Sequence, residues 1–294
     1  YAEADPLLVL FTAAALVAVF CWTGSLLTRH YSWIDRLWSL LPPAYALYFV
    51  QLDAPSTSAE EPPRVDGLTG NPRLLLVTCL ITAWGARLTF NYWRKGGYAF
   101  GSEDYRWHHV QASIPSWAFQ LLNLVFIAAF QCWLLAAITA PVYVCWRAGF
   151  TSWSWMDVGT TAVFLAALIG ETIADEQQWR FHQRKHAFEG AAGKQRRRSS
   201  DPVAVVDQDV RNGFLTAGLW RYSRHPNFFC EQAIWCAVYG FGTAATGQWV
   251  RWDVAGAALL LLLFQGSTHL TERITAAKYP AYAVYQRTTS RLAP

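Results

Sequence analysis

Apolar runs of roughly bilayer length recur along this chain, and no other feature restricts its fold as strongly. They cover residues 6–28, 33–52, 72–93, 117–144, 155–176, 227–248 and 252–269. A helix needs about 20 consecutive apolar residues to cross the hydrocarbon core. In lipid, every backbone N–H and C=O must be satisfied internally, so such a segment crosses as a helix. The pattern predicts an all-α integral membrane protein of about seven transmembrane helices. The fourth run is long enough for a tilted helix or one with a re-entrant end. With 53% hydrophobic and 15% charged residues in this order, a soluble fold is excluded.

Charge tests the topology independently. With the N-terminus outside, the loops 29–36, 94–115 and 177–225 and the tail after 270 fall inside. They hold 19 of the 24 Lys and Arg, against four outside (Arg64, Arg73, Arg147, Arg251). This bias follows the positive-inside rule and requires an odd number of spans. The first run lacks a basic leader and is read as a span, not a signal peptide. All six cysteines lie in apolar segments without CxxC or CxxH spacing, so neither disulfides nor a metal site is expected.

No repeat divides the chain, which reads as one transmembrane domain over 1–294. Residues 189–213, rich in Gly, Arg and Ser, read as a mobile cytosolic insertion. Its Arg196, Arg197 and Arg198, beside Ser199 and Ser200, are expected to be solvated, in preference to contacting anionic lipid or forming a regulated site.

Ionisable residues at membrane depth face a cavity or a partner. Asp35 and Arg36 open the second run, and His269 and Glu272 close the seventh. Arg87 with Asn91, and Glu171 with Asp175, are each four apart and share a helix face. Arg87 can tie helices together through Glu171 or Asp35, or these groups can line a polar cavity open to the cytosol. Most of them lie near inside ends, which favours the cavity.

The densest polar cluster is "GLWRYSRHPNFFCEQ" at 218–232. Pro226 suits the first turn of a helix, with Asn227 and Glu231 one turn apart behind it. A helix N-terminus beside Arg221 and Arg224 suits an anion, and Asn and Glu one turn deeper suit an amide or a ribose. A phosphate-bearing cofactor meets both demands.

This stretch closely resembles the C-terminal signature of the steroid 5-alpha-reductase-like membrane proteins. "SWIDRLWS" (32–39), "WGARLTFNYW" (84–93), "EDYRW" (103–107), "ETIADEQQ" (171–178) and "KYPAYAVYQRTTSRLAP" (278–294) are similar to that group and stand in the same order. Arg-His-Pro segments also occur in the sterol C14-reductase group and in isoprenylcysteine and phospholipid methyltransferases. The Asn227 and Glu231 pair and the Ala-Asp element at 174–175 tilt the match toward reductases.

The resemblance implies seven helices holding NADPH in a cytosol-facing cavity, and reduction of a carbon–carbon double bond conjugated to a carbonyl in a lipid, typically a 3-oxo-4-ene steroid. By motif match, Asn227 and Glu231 would meet the nicotinamide end, with Asp175 and Glu171 lining the cavity. Arg224, His225 and Tyr222 would contact phosphate or ribose. The C-terminal block would close over the adenine half through Tyr282 and Tyr285, with Arg273 or Lys278 near the 2′-phosphate. Tyr92 maps onto the family's tyrosine donor to the substrate carbonyl. The glutamate that shares this role has no identical counterpart, and Asp35, kept protonated by burial, takes its place. Tyr92 can alternatively be read as an interfacial anchor. Phe228 and Phe229 replace a Tyr-containing pair, Cys230 stands where Gly is usual, and Ser223 where Thr is usual.

Two rival readings are an S-adenosylmethionine-dependent lipid or prenylcysteine methyltransferase and a non-catalytic sterol- or lipid-binding protein. Where the methyltransferases often carry a Glu-Glu pair, this chain reads Thr271-Glu272-Arg273. Membrane lipids and a lipid-like substrate are the expected partners, with no nucleic acid. The endoplasmic reticulum is the compartment the family implies, with a bacterial inner membrane as the alternative.

Overall fold

A computed structural model describes residues 4–53, 70–99, 101–150, 152–195 and 208–293. The twelve numbered helices are α1 (Pro6–Thr28), α2 (Trp33–Leu37), α3 (Leu41–Asp53), α4 (Pro72–Arg94), α5 (Tyr105–Ser113), α6 (Ser116–Leu122), α7 (Gln131–Ala148), α8 (Trp155–Gln195), α9 (Gln208–Asn212), α10 (Pro226–Thr246), α11 (Val254–Lys278) and α12 (Tyr282–Thr288). Among the described residues there is no β-strand, only an isolated bridge between Ser223 and Ser290.

Among the described residues, five helical runs are long and apolar enough to cross a membrane: α1, α4, the run Ser116–Ala148, α8 through Gly190, and α11. The long fourth run is continuous, with a π-helical stretch at Asn123–Phe130 joining α6 to α7. The run predicted over 33–52 instead breaks into α2 and the 13-residue α3. Pro42 and Pro43 fit the first turn of α3 but cannot continue α2, because proline lacks the N–H and crowds the carbonyl four residues back. At 1.5 Å per residue, α3 is about 20 Å long. α10 has the length to cross but carries Asn227, Glu231 and Gln232 in its first turns, and is not one of the five.

α8 runs 41 residues, well past the predicted end at 176. Its extension is helped by the Glu176–Arg180 pair at i,i+4 (2.8 Å). Residues 189–195 of the predicted insertion are therefore helical, and 208–212 form α9. Residues 196–207, with the arginine triplet and the two serines, lie outside the described residues.

The chain divides into two compact units, 1–164 with 235–261, and 165–234 with 262–294. In the first unit α7 packs against α1, α3 and α4, burying Leu134, Leu135, Ile138 and Val142. Trp84 and Trp235 meet edge-to-face at 4.9 Å in this core. Asn71 caps α4 by accepting from the Arg73 and Leu74 N–H groups, and Arg73, 1% exposed, pairs with Asp157 at 2.7 Å. Arg251 and Asp253 form a second buried pair at 2.8 Å.

In the second unit Phe181, Val210, Leu215 and Trp220 make one apolar cluster. Phe214, Tyr282 and Tyr285 make another, which seats α12.

Candidate functional site

The predicted site residues fall into two clusters, one in each unit. The first joins the segments 31–36 and 98–107. The Tyr31 N–H donates to Glu103 Oε1 at 2.6 Å, the Asp104 N–H to Ser32 Oγ at 2.9 Å, and Trp107 Nε1 to Asp35 Oδ2 at 3.0 Å. Arg36 also donates to the carbonyls of Ala99 and Ser102, and the Tyr98 hydroxyl to Arg36 O. "SWIDRLWS" and "EDYRW" are thus two halves of one interlocked structure.

Asp35 is half-buried. Burial, then the neighbouring Asp104 carboxylate, push its pKa above the usual 3.8, against the pull of Arg106 and of hydrogen bonds from Trp107 and Ser32. Tyr92, in the last turn of α4, has Asp35, Arg36, Asp104 and Tyr98 as its electrostatic neighbours. Its ring meets Tyr98 edge-on at 4.9 Å and lies against Gly97, where no Cβ would fit. Tyr92 and Asp35, the two residues expected to serve a substrate carbonyl, are thus electrostatic neighbours.

A groove of about 540 Å³ begins beside this cluster, between α3 and α4. Ser39, Pro43, Gly85, Ala86, Phe90 and Trp93 help to line it, and Ser39 and Thr89 share a 2.7 Å hydroxyl contact there.

The second cluster starts where α8 and α10 meet. Asn227 Nδ2 donates to Asp175 Oδ1 at 3.4 Å. Glu171 lies one turn before Asp175 on α8, and Glu231 one turn after Asn227 on α10; both are buried. Asn227 Oδ1 is enclosed with no donor against it. Asn227 and Asp175 thus meet, with Glu171 and Glu231 buried one turn away along the same two helices, and Asn227 Oδ1 is an open acceptor.

Arg224, His225, Tyr282 and Tyr285, expected on the cofactor, are engaged with the protein itself. Arg224 pairs with Glu272 through Nε–Oε1 (2.6 Å) and Nη2–Oε2 (3.1 Å), and its Nη1 donates to the carbonyls of Gln286 and Thr289. Four of the five guanidinium N–H groups are so used. His225 Nε2 lies 3.2 Å from Glu272 Oε1, and its ring stacks on Phe228. The Tyr285 hydroxyl donates to Trp220 O, and Tyr282 is buried against Phe214. The "RHPN" and C-terminal motifs thus meet as a latch that fixes α12 near the start of α10. Tyr222 is 62% exposed, and Arg273 and Lys278 are exposed as well.

Sequence reasoning missed Lys185. Its Nζ donates to the Tyr279 hydroxyl at 2.6 Å and to Gly213 O at 3.0 Å. Lys278 flanks the same ring. Burial pushes the Tyr279 hydroxyl up, but the two ammonium groups outweigh it and hold the pKa below 10. A cavity of about 600 Å³ opens on the same part of α8, lined by Trp179, Arg180 and Arg184 and by Leu215, Ala217 and Gly218. No grouping of three or more His, Cys, Asp or Glu suited to a metal occurs among the described residues.

Residues 21–289 match the family model described as "Protein of unknown function (DUF1295)", a stretch that contains both clusters. The chain belongs to this family. DUF1295 is steroid 5-alpha-reductase-like in general character. The chain is also 34% identical over 298 residues to "Uncharacterized protein C594.04c" of Schizosaccharomyces pombe, covering all of this chain and 81% of that protein. No solved structure matches it.

Proposed function

We propose that this DUF1295 protein is a membrane-embedded, NADPH-dependent reductase of a carbon–carbon double bond conjugated to a carbonyl in a lipid substrate. The observation that carries the reading is the buried layer of Asp175, Asn227, Glu171 and Glu231, with the enclosed Asn227 Oδ1 unmet by any donor. An enclosed amide oxygen with no donor against it accepts a ligand N–H or hydroxyl, so the layer suits the nicotinamide riboside end of the cofactor. Its phosphates and adenine suit the cationic end of α8, where Lys185 and Lys278 converge on Tyr279 and where Trp179, Arg180 and Arg184 line a cavity of ligand size.

Bound NADPH supplies hydride to the β-carbon. The chain has to hold the cofactor in register, exclude water, and place a donor at the carbonyl oxygen, where negative charge develops. Tyr92 and Asp35 are that donor pair, and the apolar groove beside them accommodates the body of a lipid. On this reading α10 also crosses the bilayer, and α3, about 20 Å long, does so where the bilayer thins around it, giving seven spans and placing 19 of the 24 Lys and Arg on the cytosolic face.

The test is turnover by detergent-purified protein with NADPH and two enones, a 3-oxo-4-ene steroid and a long-chain enoyl lipid, followed by mass spectrometry. Wild type should reduce one of them, and Tyr92→Phe should lose at least a hundredfold in turnover while keeping NADPH affinity. Full turnover in Tyr92→Phe removes it from the mechanism.

A further inference from the structure

We propose that Trp107 is the positioning residue of Asp35: its indole N–H binds Oδ2, so that Oδ1 is the oxygen that carries and presents the proton, and residues 103–107 form the clamp that sets this geometry. The catalytic meaning rests on the reductase reading above; the geometry does not.

Three hydrogen bonds run in step along the two segments, Tyr31 to Glu103, Asp104 to Ser32 and Trp107 to Asp35. The spacing leaves Asp35 little freedom to rotate. Trp107 is buried, and an indole N–H can only donate, so the oxygen it meets must be an acceptor. In a protonated carboxyl the carbonyl oxygen is the stronger acceptor, so Asp35 with Oδ2 on the indole N–H carries its hydrogen on Oδ1.

Electrostatic neighbours act in opposite directions. Asp104 caps α5 through the Arg106 N–H and grips the Arg106 side chain at 2.7 Å. The Arg106 cation is thereby turned to Asp104, whose own charge opposes ionisation of Asp35. The groups bearing on Asp35 are Asp104, Arg106, Trp107 and Ser32, with Tyr92 facing it from α4. Arg36, Asp104 and Tyr98 also act on Tyr92. A hydrogen bond from Trp107 favours the charged carboxylate, while Asp104 favours the neutral acid.

The clamp therefore makes a signed prediction. In substrate-free, detergent-purified protein, the Asp35 carboxyl band is assigned by infrared difference spectroscopy from its loss in Asp35→Asn, then titrated. Trp107→Phe keeps the ring and loses the N–H; the midpoint should rise by about one pH unit or more. Asp104→Asn keeps a capping side chain and loses the charge; the midpoint should fall. Opposite shifts support the clamp, and no shift, or shifts of one sign, overturn it. The readout needs neither NADPH nor turnover. Opposite shifts in a protein that binds no NADPH would leave the clamp standing and remove the reductase reading.

Discussion

Asn227 on α10 donates from Nδ2 to Oδ1 of Asp175 on α8 across 3.4 Å, and its own Oδ1 is enclosed with no donor against it. An open acceptor held in place by a carboxylate is a poor arrangement for stability alone, because a buried unsatisfied polar group costs about 1–3 kcal/mol. It is a sound arrangement for receiving a ligand N–H.

Replacing that residue should therefore separate binding from folding. Asn227→Leu is expected to weaken NADPH binding about tenfold to a hundredfold, on the scale of one or two lost hydrogen bonds, in a protein that still unfolds cooperatively in thermal melts. Isothermal titration on purified protein measures the constant; an unchanged value takes Asn227 out of the site.

Asp35 couples stability to pH. Its folded pKa lies above the unfolded value of 3.8, so the folded state binds the proton more tightly. The stabilisation from this residue is complete below about pH 3.8 and is lost as pH rises through the folded pKa. Asp35→Asn keeps a neutral side chain at every pH, so it should melt higher than wild type near neutrality, and the difference should vanish in acid. A variant less stable than wild type at neutral pH would contradict the raised pKa.

Arg73 and Asp157 are a buried pair with the opposite lesson. Removing one partner leaves a buried charge, so Arg73→Met or Asp157→Leu should each cost about 3–5 kcal/mol. The double replacement should cost less than either single one, because no charge is left behind. A double-mutant cycle on thermal melts tests this, and additive losses would show that the pair does not act as a unit.

Gly218 adopts φ +67° with Gln177 against the site where a Cβ would stand, and Gln177 Oε1 accepts from the next N–H, Leu219, at 3.0 Å. Gly218→Ala adds a left-handed strain and a clash, together about 1–3 kcal/mol. The loss should appear in thermal melts of the variant. A melting temperature equal to wild type would show that the loop relaxes freely.

The five membrane-length helices were legible because an apolar run of bilayer length has a single backbone solution. The break between α2 and α3 was written in Pro42 and Pro43, yet the hydropathy of 33–52 masks it. Asn227, Glu231, Glu171 and Asp175 could be grouped from spacing within their helices and from the family motifs, and Asn227 and Asp175 do meet. The clamp around Asp35 joins residues 62 to 72 positions apart, and the latch of Arg224 on Glu272 joins residues 48 apart. Pairings between distant segments leave no periodic trace in a single chain. Hence Arg224 reads as a phosphate ligand in sequence and forms a buried ion pair in the fold, while Trp107 reads as one more aromatic in a tryptophan-rich protein.

The central claim is that the Asp175–Asn227 layer receives NADPH, and the most direct measurement is thermal unfolding of detergent-purified protein with NADPH, NADH or S-adenosylmethionine. A ligand bound by the folded state alone, present at a hundred times its dissociation constant, adds about 2.7 kcal/mol of apparent stability. Melting temperature should rise with NADPH, and the rise should be lost in Asn227→Leu. A rise with S-adenosylmethionine and none with NADPH would contradict it and make the protein a methyltransferase.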